Sequence, residues 1–471
     1  MMKRQLKVKI IVNKNELSSF FIGGSMKKND YIDATCIDYT HDAFGVVKVD
    51  GFPVFVKNML VGESGKIKII KVLKNYGVGR LISLDNMSDF RVPPVCPIFK
   101  QCGGCQLQHM TYDYQLYFKT KRVKDTLKRI GHCDCEVSDC IGMDEGWFYR
   151  NKIQVPIGRI NNNLVMGFYK QHSNEIIPME KCYIQSEDAN IILKRILELF
   201  NEYHIEPFDR EAHKGCIKHV MIREGYYTKE VMIAFISTRK KVNHLFRVVN
   251  KLKNEFPMIR TIILNINNRK DNVIIGEEEI LLYGDGYIKD QLLGLDYKIS
   301  LKSFYQINPI QVEKLYTKAI ELANLDKDDI VIDAYCGIGT IGLSLADKVK
   351  KVIGVEIVED AINDARENAM RNNINNIEFH VGDAGEFMTQ YNGCVDVVMV
   401  DPPRKGCSKV FLEQMVSLSP KKVIYISCNV ATQSRDIEYL ESNGYKAKVC
   451  ECVDMFPQTK HVETVVLMSR E

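Results

Sequence analysis

The stretch of sequence that decides the fold is Asp333-Ala334-Tyr335-Cys336-Gly337-Ile338-Gly339-Thr340-Ile341-Gly342. It begins at the end of an apolar run, residues 329–334, and reaches into a helical pattern over residues 341–346. Glycines let the backbone turn tightly and approach a ligand, and the helix N-terminus that follows favours negative charge. The stretch therefore predicts the first strand, turn and helix of a ligand-binding α/β domain.

The rest of the C-terminal part repeats this alternation of strand, turn and helix. A second helical pattern covers residues 359–372. Five apolar strands are predicted at residues 329–334, 351–355, 377–381, 395–400 and 422–426. Such alternation is typical of a mostly parallel, Rossmann-like sheet with helices on both faces. Ligands bind at the carboxyl ends of the strands in these folds, so the residues after each strand are the candidates for a site.

Residues Gly337 to Gly342 satisfy the pattern G-x-G-x-x-G, which is compatible with a nicotinamide dinucleotide or with S-adenosylmethionine. Asp333 favours the second ligand, because a carboxylate before the glycines repels a pyrophosphate and can pair with the amino group of a methionine moiety. Glu356 lies 19 residues after Gly337, where a carboxylate can bind ribose hydroxyls. Asp383, after the third strand, is suited to an adenine amino group.

The fourth strand ends in Asp401-Pro402-Pro403-Arg404-Lys405-Gly406. Two prolines fix the backbone and present Asp401 at the mouth of the sheet. The motif indicates a pocket for a planar base or amide. A simple bracing role for the two prolines is the alternative.

Two reactive side chains lie at the ends of the last strands. Cys428 follows the fifth strand, and Glu463 begins an apolar strand near the C-terminus. Each alone is unremarkable, since buried thiols and solvated carboxylates are common. Together they suit methylation of an unactivated pyrimidine carbon, in which a thiolate adds to carbon 6, carbon 5 takes the methyl group, and a base removes the proton from carbon 5.

A second group of cysteines lies earlier in the chain. Cys96, Cys102 and Cys105 fall within ten residues, with two glycines between the last two, and Cys182 is the candidate fourth ligand. All-thiolate coordination suits zinc or an iron–sulfur cluster. A single C-x₂-C pair with distant partners favours the cluster over zinc.

Three further cysteines, Cys133, Cys135 and Cys140, form a looser set without glycines. We interpret them as ordinary thiols.

Short β-branched runs separated by turn residues fill residues 25–90. Five strands are predicted there, at residues 33–39, 45–49, 54–57, 66–73 and 78–84. This spacing predicts a small OB-like β-barrel that binds RNA, with a structural adaptor as the alternative. Residues 1–90 carry 14 basic and 9 acidic side chains, which is a small basic excess for this part of the chain.

Composition sets the remaining limits. The chain has 471 residues, 45% hydrophobic and 26% charged, with a net charge of +4, as in an ordinary folded protein. Its 15 cysteines are odd in number and spread along the chain, which argues against a secreted disulfide framework. No run of about 18 apolar residues occurs, so we expect no membrane span and a cytoplasmic location.

These motifs together resemble one family, the S-adenosylmethionine-dependent RNA uracil-5 methyltransferases. The resemblance is to the 23S ribosomal RNA branch, which has an N-terminal TRAM barrel and a [4Fe-4S] cluster. It is carried by residues 102–109, 303–308, 333–337, 401–406, 427–429 and 461–464. It implies four segments: an extension (residues 1–24), the barrel (25–90), a central α+β domain with the cluster (91–300) and a catalytic domain (301–471).

The resemblance also implies residue roles. Cys428 is the expected nucleophile and Glu463 the expected base. The expected contacts to S-adenosylmethionine are Gln306, Tyr335, Glu356 and Asp401, with Asp333, Gly337, Thr340 and Asp383 inferred from position. The expected cluster ligands are Cys96, Cys102, Cys105 and Cys182.

We therefore expect a monomeric enzyme that methylates carbon 5 of a uridine in 23S ribosomal RNA. Three alternatives remain: a transfer-RNA uridine methylase, a dehydrogenase with an iron–sulfur electron relay, and a non-catalytic RNA-binding scaffold.

Overall fold

The computed structural model describes residues 26–171, 173–209 and 214–471, so the predicted extension over residues 1–24 lies outside the described residues. The chain forms two compact units. Of the described residues, the first unit comprises those up to Thr40 together with Phe44–Ser88, and the second comprises His41–Ala43 and those from Asp89 to Glu471. No helix among the described residues is both long and apolar enough to cross a membrane.

The first unit is a six-stranded sheet built from β1 (Tyr31–Thr35), β2 (Asp38–Tyr39), β3 (Gly45–Val49), β4 (Phe52–Lys57), β5 (Ser64–Val72) and β6 (Gly77–Leu84). The strand order is β1-β5-β6-β4-β3-β2. Only Cys36 and Ile37 separate β1 from β2, so one bent stretch of chain pairs with both β5 and β3. This arrangement closes the sheet around a core that includes Val47, Val54 and Ile67. The first of the five predicted strands is therefore broken into two at this bend.

The next part of the chain contains α1 (Tyr112–Ile130), β7 (Glu136–Val137), β8 (Lys152–Ile160), β9 (Asn163–Tyr169), β10 (Ile176–Pro178), α2 (Glu187–Glu202), β11 (Ile217–Glu224), β12 (Val231–Ser237), α3 (Leu245–Glu255), β13 (Ile259–Ile266), β14 (Glu278–Gly284), β15 (Tyr287–Leu292) and β16 (Leu295–Ser300). Seven of these strands form one sheet in the order β10-β9-β8-β11-β12-β13-β14. Apolar residues of α2 and α3 pack against this sheet, giving an α+β layer. The hairpin β15–β16 stands apart as a two-stranded sheet.

The C-terminal part contains α4 (Pro309–Ala323), β17 (Ile330–Ala334), α5 (Thr340–Leu345), a 3-10 turn (Ala346–Lys348), β18 (Lys351–Glu356), α6 (Glu359–Arg371), β19 (Ile377–Val381), α7 (Ala384–Gln390), β20 (Val397–Val400), α8 (Lys409–Leu418), β21 (Lys422–Ser427), α9 (Val430–Glu441), β22 (Tyr445–Val453) and β23 (Glu463–Arg470). The sheet order is β19-β18-β17-β20-β21-β23-β22-β7. The first five strands are parallel, and β23 runs antiparallel to both neighbours. The chain turns back across the sheet between β17 and β20, which is where ligands bind in such sheets.

The segment 91–300, predicted as a central domain, contributes one strand to the catalytic sheet and one helix to the core beside that sheet. β7 pairs with β22 as its outermost strand. Val123 and Leu127 of α1 are buried in the same apolar core as residues of β21 and β22. The boundary near residue 300 therefore does not separate two independent cores.

Candidate active site

The turn after β17 is held in an unusual backbone conformation. Tyr335 and Gly337 have φ angles of +65° and +55°, in the left-handed region that glycine adopts without strain. The Gly337 N–H donates to Glu356 Oε2 at 3.2 Å, and the Val358 N–H donates to Glu356 Oε1 at 2.9 Å. The carboxylate of Glu356 is therefore fixed at the end of β18, beside the turn.

Two other predicted carboxylates hold the ends of helices. Asp383 is the N-cap of α7, where its Oδ1 accepts the N–H of Gly385 at 2.9 Å. Asp333 Oδ2 accepts the N–H of Gly342 at 2.7 Å, and a Cβ at position 342 would lie 2.9 Å from that oxygen. Burial raises the pKa of Asp333 to about 7. Gly342 is thus required for the close approach of α5 to β17.

The predicted nucleophile and base stand opposite one another. β21 and β23 pair antiparallel with Ser427 opposite Thr464, so the next position along each strand places Cys428 opposite Glu463. The Thr464 hydroxyl donates to Ser427 O at 3.2 Å and is within 2.7 Å of Gln433 Oε1. These buried contacts fix the relative position of the two strand ends.

Three charged groups act on the Cys428 thiol. Burial and the carboxyls of Glu463 and Asp401 raise its pKa to about 11, while the Arg404 guanidinium lowers it. Burial and Asp401 likewise raise the pKa of Glu463 far above its usual range, against the effect of Arg404. Burial also raises the pKa of Asp401 to about 7. At neutral pH the thiol therefore needs a positive charge or a bound substrate to become a thiolate.

The loop that carries Arg404 is hydrogen-bonded to the start of α9, the helix that follows the nucleophile. The Asn429 side chain, which caps α9, donates to Arg404 O at 2.8 Å. The Thr432 hydroxyl donates to the same oxygen at 3.3 Å. Arg404 has no predicted role. Its place directly after Asp-Pro-Pro, at the carboxyl end of a strand, is the feature of the sequence that indicates one.

One cavity of about 570 Å³ joins these groups, a volume typical of small-molecule sites. Among the predicted residues, it is lined by Gln306, Tyr335, Gly337, Glu356, Asp383, Asp401, Cys428 and Glu463. The structure does not bring Asp333 or Thr340 to its wall: Asp333 is buried beneath the turn, and the Thr340 hydroxyl lies 3.3 Å from that of Tyr316. Phe304 and Phe456, which had no predicted role, also line the cavity.

A larger cavity of about 890 Å³ lies among the C-terminal ends of α4, α5 and α6. None of the predicted site residues lines it. We therefore assign the reaction to the 570 Å³ cavity.

The four cysteines predicted as ligands surround a separate cavity of about 240 Å³. Burial, together with the thiols of Cys182, Cys102 and Cys96, raises the pKa of Cys105 to about 12. Arg150, Lys152 and Lys181 line the same cavity and supply positive charge.

Short polar contacts shape this cysteine site. The Cys96 N–H donates to Gln108 Oε1 at 3.1 Å, and the Gly104 N–H donates to Cys102 Sγ at 3.3 Å. Asn190 of α2 accepts the Cys182 N–H at 2.7 Å. Across residues 26–171, 173–209 and 214–471, however, no three His, Cys, Asp or Glu side chains are arranged to hold a single metal ion.

The looser cysteine set belongs to a different place. Cys133 and Cys140 are buried in the core of the catalytic sheet, and Cys135 packs against that core from its edge. Cys135 acts as a hydrogen-bond partner of the Cys133 thiol and lowers its pKa to about 7. None of these three thiols lines the 240 Å³ cavity of the predicted ligands or the 570 Å³ cavity of the predicted active site.

The strand order and the cavity at its switch point define an α/β enzyme with a nucleotide-type cofactor site. Residues 111–471 match the family model described as tRNA (uracil-5-)-methyltransferase. An uncharacterized RNA methyltransferase of Oceanobacillus iheyensis is 44% identical over 93% of this chain and 96% of its own. Another, from Bacillus cereus, is 46% identical over 94% of this chain and 98% of its own.

A solved structure is similar along almost the whole chain. It is the tRNA (uracil-54, C5)-methyltransferase of Pyrococcus abyssi in complex with S-adenosyl-L-homocysteine, with a TM-score of 0.75 and 28% identity. The similarity covers 93% of this chain and 100% of that one. The chain belongs to the RNA (uracil-5-)-methyltransferase family and is an S-adenosylmethionine-dependent methyltransferase. S-adenosylmethionine is therefore confirmed as the predicted cofactor in place of a nicotinamide dinucleotide.

Proposed function

We propose that this enzyme transfers the methyl group of S-adenosylmethionine to carbon 5 of a uridine in 23S ribosomal RNA. The observation that carries the uracil-5 chemistry is the placement of Cys428 opposite Glu463 in the wall of the 570 Å³ cavity. A uracil ring bound in this cavity would lie between the thiol and the carboxyl.

The proposed reaction balances as follows. The Cys428 thiolate forms a bond to carbon 6 of the uracil, and the electron pair moves onto carbon 5 and the ring carbonyl. Carbon 5 then forms a bond to the methyl carbon, the bond between that carbon and the sulfonium sulfur breaks, and S-adenosylhomocysteine leaves. Glu463 takes the proton from carbon 5, the bond from carbon 6 to sulfur breaks, and Cys428 is released as a thiolate.

The neighbouring charges suit each stage. Arg404 favours the thiolate and is placed near the site where negative charge develops on the uracil after addition. Burial raises the pKa of Glu463 and so favours its protonated form in the free enzyme, whereas Arg404 favours the carboxylate that must take the proton from carbon 5. Asp401, at the rigid Asp-Pro-Pro turn, lines the same cavity and is proposed as a contact to the methyl donor.

Residues on the other side of the cavity are proposed to hold the methyl donor. Glu356, fixed by the turn at Gly337, would accept hydrogen bonds from the ribose hydroxyls. Asp383, at the start of α7, would accept from the adenine amino group. Gln306 and Tyr335 complete this half of the wall.

We also propose that Cys96, Cys102, Cys105 and Cys182 hold a [4Fe-4S] cluster. The donor set fits such a cluster. Among the described residues, four cysteines and no carboxylate or imidazole line the 240 Å³ cavity, and cationic side chains line it as well. The cluster would supply a structural cross-link for this region, since methyl transfer moves no electrons.

A transfer RNA is the second candidate substrate. The Pyrococcus abyssi enzyme, which is named for uracil-54 of tRNA, covers 93% of this chain. A relative with a transfer-RNA substrate therefore matches nearly the whole chain, and the barrel by itself does not favour ribosomal RNA.

The test is a parallel assay of the two substrates. Purified protein and methyl-labelled S-adenosylmethionine are incubated with unmodified 23S ribosomal RNA and with unmodified transfer RNA, and nucleosides are identified by mass spectrometry. We expect labelled 5-methyluridine in the ribosomal RNA, and none with Cys428→Ala. Label in transfer RNA alone would establish the second candidate, and label in neither would overturn both.

A further inference from the structure

The segment before the proposed base is a long loop between β22 and β23. We call residues 454–462 the base loop and residues 96–109 the cysteine loop. Phe456 of the base loop lines the reaction cavity, and Glu463 follows its last residue directly. The loop therefore carries one group of the cavity wall and leads directly into a second.

The cysteine loop is hydrogen-bonded to the base loop through its backbone. The N–H groups of Gln106 and Leu107 both donate to Gln458 O, each at 3.0 Å. Gln106 directly follows Cys105, one of the four proposed cluster ligands. More than 340 residues separate the two loops in sequence, so the contact depends entirely on tertiary structure.

The Gln106 side chain bridges the same two loops. Its Nε2 donates to Gly103 O at 2.7 Å, within the turn between Cys102 and Cys105. Its Oε1 accepts the Lys460 N–H at 3.2 Å, three positions before Glu463. One amide group thus contacts both the cysteine turn and the base loop.

Gln458 itself is held in a conformation that a glutamine adopts rarely. Its φ is +68°, and it is buried. Its N–H donates to Gln115 Oε1 at 3.1 Å, and Gln115 Nε2 donates to Gln458 Oε1 at 3.0 Å. Because such a backbone persists only where surrounding contacts hold it, loss of the contacts from the cysteine loop removes part of what keeps Gln458 in place.

We propose that Gln106 is a positioning residue that couples the cysteine site to the base loop. When the cysteine loop is closed around its bound group, Gln106 and Leu107 hold Gln458 and Lys460, and Glu463 and Phe456 take their places in the cavity. When the cysteine loop opens, the base loop loses these contacts and Glu463 shifts. The role of Glu463 as the base rests on the proposed function, whereas the coupling between the two loops does not.

The first test compares Gln106→Leu with Gln101→Leu, an exposed glutamine of the same loop, at equal iron content. Turnover of Gln106→Leu should fall about 10- to 100-fold, the effect of a small misplacement of a reacting group. The KM values for RNA and for S-adenosylmethionine should stay near those of the wild type, and a covalent RNA–protein complex should accumulate because the base acts too slowly. Equal turnover in the two variants would overturn the proposal.

The second test needs neither RNA nor methyl donor. Hydrogen–deuterium exchange of peptides covering residues 454–463 should be faster in Gln106→Leu than in Gln101→Leu. It should also become faster in the wild type after the iron is removed by oxidation and chelation. Unchanged exchange in these peptides would overturn the coupling, whatever reaction the enzyme performs. Faster exchange in a protein that methylates no RNA would support the coupling and refute the proposed function.

Discussion

Cys428 and Glu463 lie across from each other where two antiparallel strands leave the sheet, one residue beyond the paired positions Ser427 and Thr464. The backbone pairing sets this relationship, and the buried hydrogen bonds of the Thr464 hydroxyl reinforce it. A nucleophile and a base are thus placed by secondary structure and not by a flexible loop alone. The geometry accounts for a two-step reaction in which one group adds to the substrate and the other releases it.

Replacement of the base should separate these two steps. Glu463→Gln keeps the shape of the side chain and removes its ability to take the proton from carbon 5. Turnover should fall about 10²- to 10⁴-fold, the usual contribution of a general base. A covalent RNA complex should accumulate, visible as a slow band on a denaturing gel.

Glu451→Gln on the neighbouring strand β22 is the matched control and should turn over like the wild type. Normal turnover of Glu463→Gln would remove the carboxyl from the mechanism.

The strand ends of the catalytic sheet could be predicted from sequence because buried parallel strands are continuous apolar runs. Ile377–Val381 was predicted to the residue, and the run over 422–426 differs from Lys422–Ser427 by one position. Residues placed directly after such strands meet at one edge of the sheet, which is why most of the candidate site could be identified.

Contacts between distant segments could not be predicted in this way. No local pattern pairs Gln106 with Gln458, and none indicates that β7 joins the edge of the catalytic sheet. Asp333 was expected at the cavity wall on the basis of its position, but its carboxylate instead holds the N–H of Gly342 beneath the turn. Hydrophobic periodicity gives the elements and their ends, whereas side-chain direction at a turn depends on backbone angles such as the positive φ of Tyr335.

The pH dependence of adduct formation should reflect the Cys428 thiol. Its pKa is raised to about 11, so the thiolate is the minor form at neutral pH and its fraction grows roughly tenfold per pH unit below that value. The single-turnover rate of adduct formation with RNA containing 5-fluorouridine should therefore rise with pH. Arg404 lowers the thiol pKa, so Arg404→Gln should raise it, slow the reaction at neutral pH and displace the rise toward more alkaline pH.

Lys405→Gln removes one positive charge from the same loop and serves as the charge-matched control. A profile for Arg404→Gln that coincides with that of Lys405→Gln would show that Arg404 does not act on the thiol.

A buried ion pair should stabilise the base loop. Lys119 of α1 and Asp454 contact each other with both side chains fully buried, and the Tyr112 hydroxyl donates to Asp454 at 3.0 Å. Lys119→Met leaves an unpaired buried carboxylate and should lower the free energy of unfolding by about 3–5 kcal/mol. Urea unfolding measures this difference.

Lys124→Met, at an exposed position of the same helix, should change the free energy of unfolding by less than about 0.5 kcal/mol. Similar stability of the two variants would contradict the assignment of a stabilising role to the pair.

Binding of the methyl donor should depend on Glu356. Loss of charged hydrogen bonds costs about 1.5–3 kcal/mol, so Glu356→Ala should weaken S-adenosylmethionine binding roughly 10- to 100-fold. Isothermal titration calorimetry measures the dissociation constant directly. Glu359→Ala, at the exposed first position of α6, should bind with unchanged affinity, and equal affinity in both variants would exclude Glu356 from the donor site.

The covalent step is the core of the proposed reaction and can be observed directly by mass spectrometry. The protein is incubated with S-adenosylmethionine and substrate RNA that carries 5-fluorouridine at the target, and the trapped complex is digested to peptides and nucleotides. Fluorine at carbon 5 cannot leave as the proton does, so the reaction should stop at an adduct of Cys428 that carries the transferred methyl group. An adduct on another cysteine, or a complex that forms equally well with Cys428→Ala, would contradict the proposed mechanism.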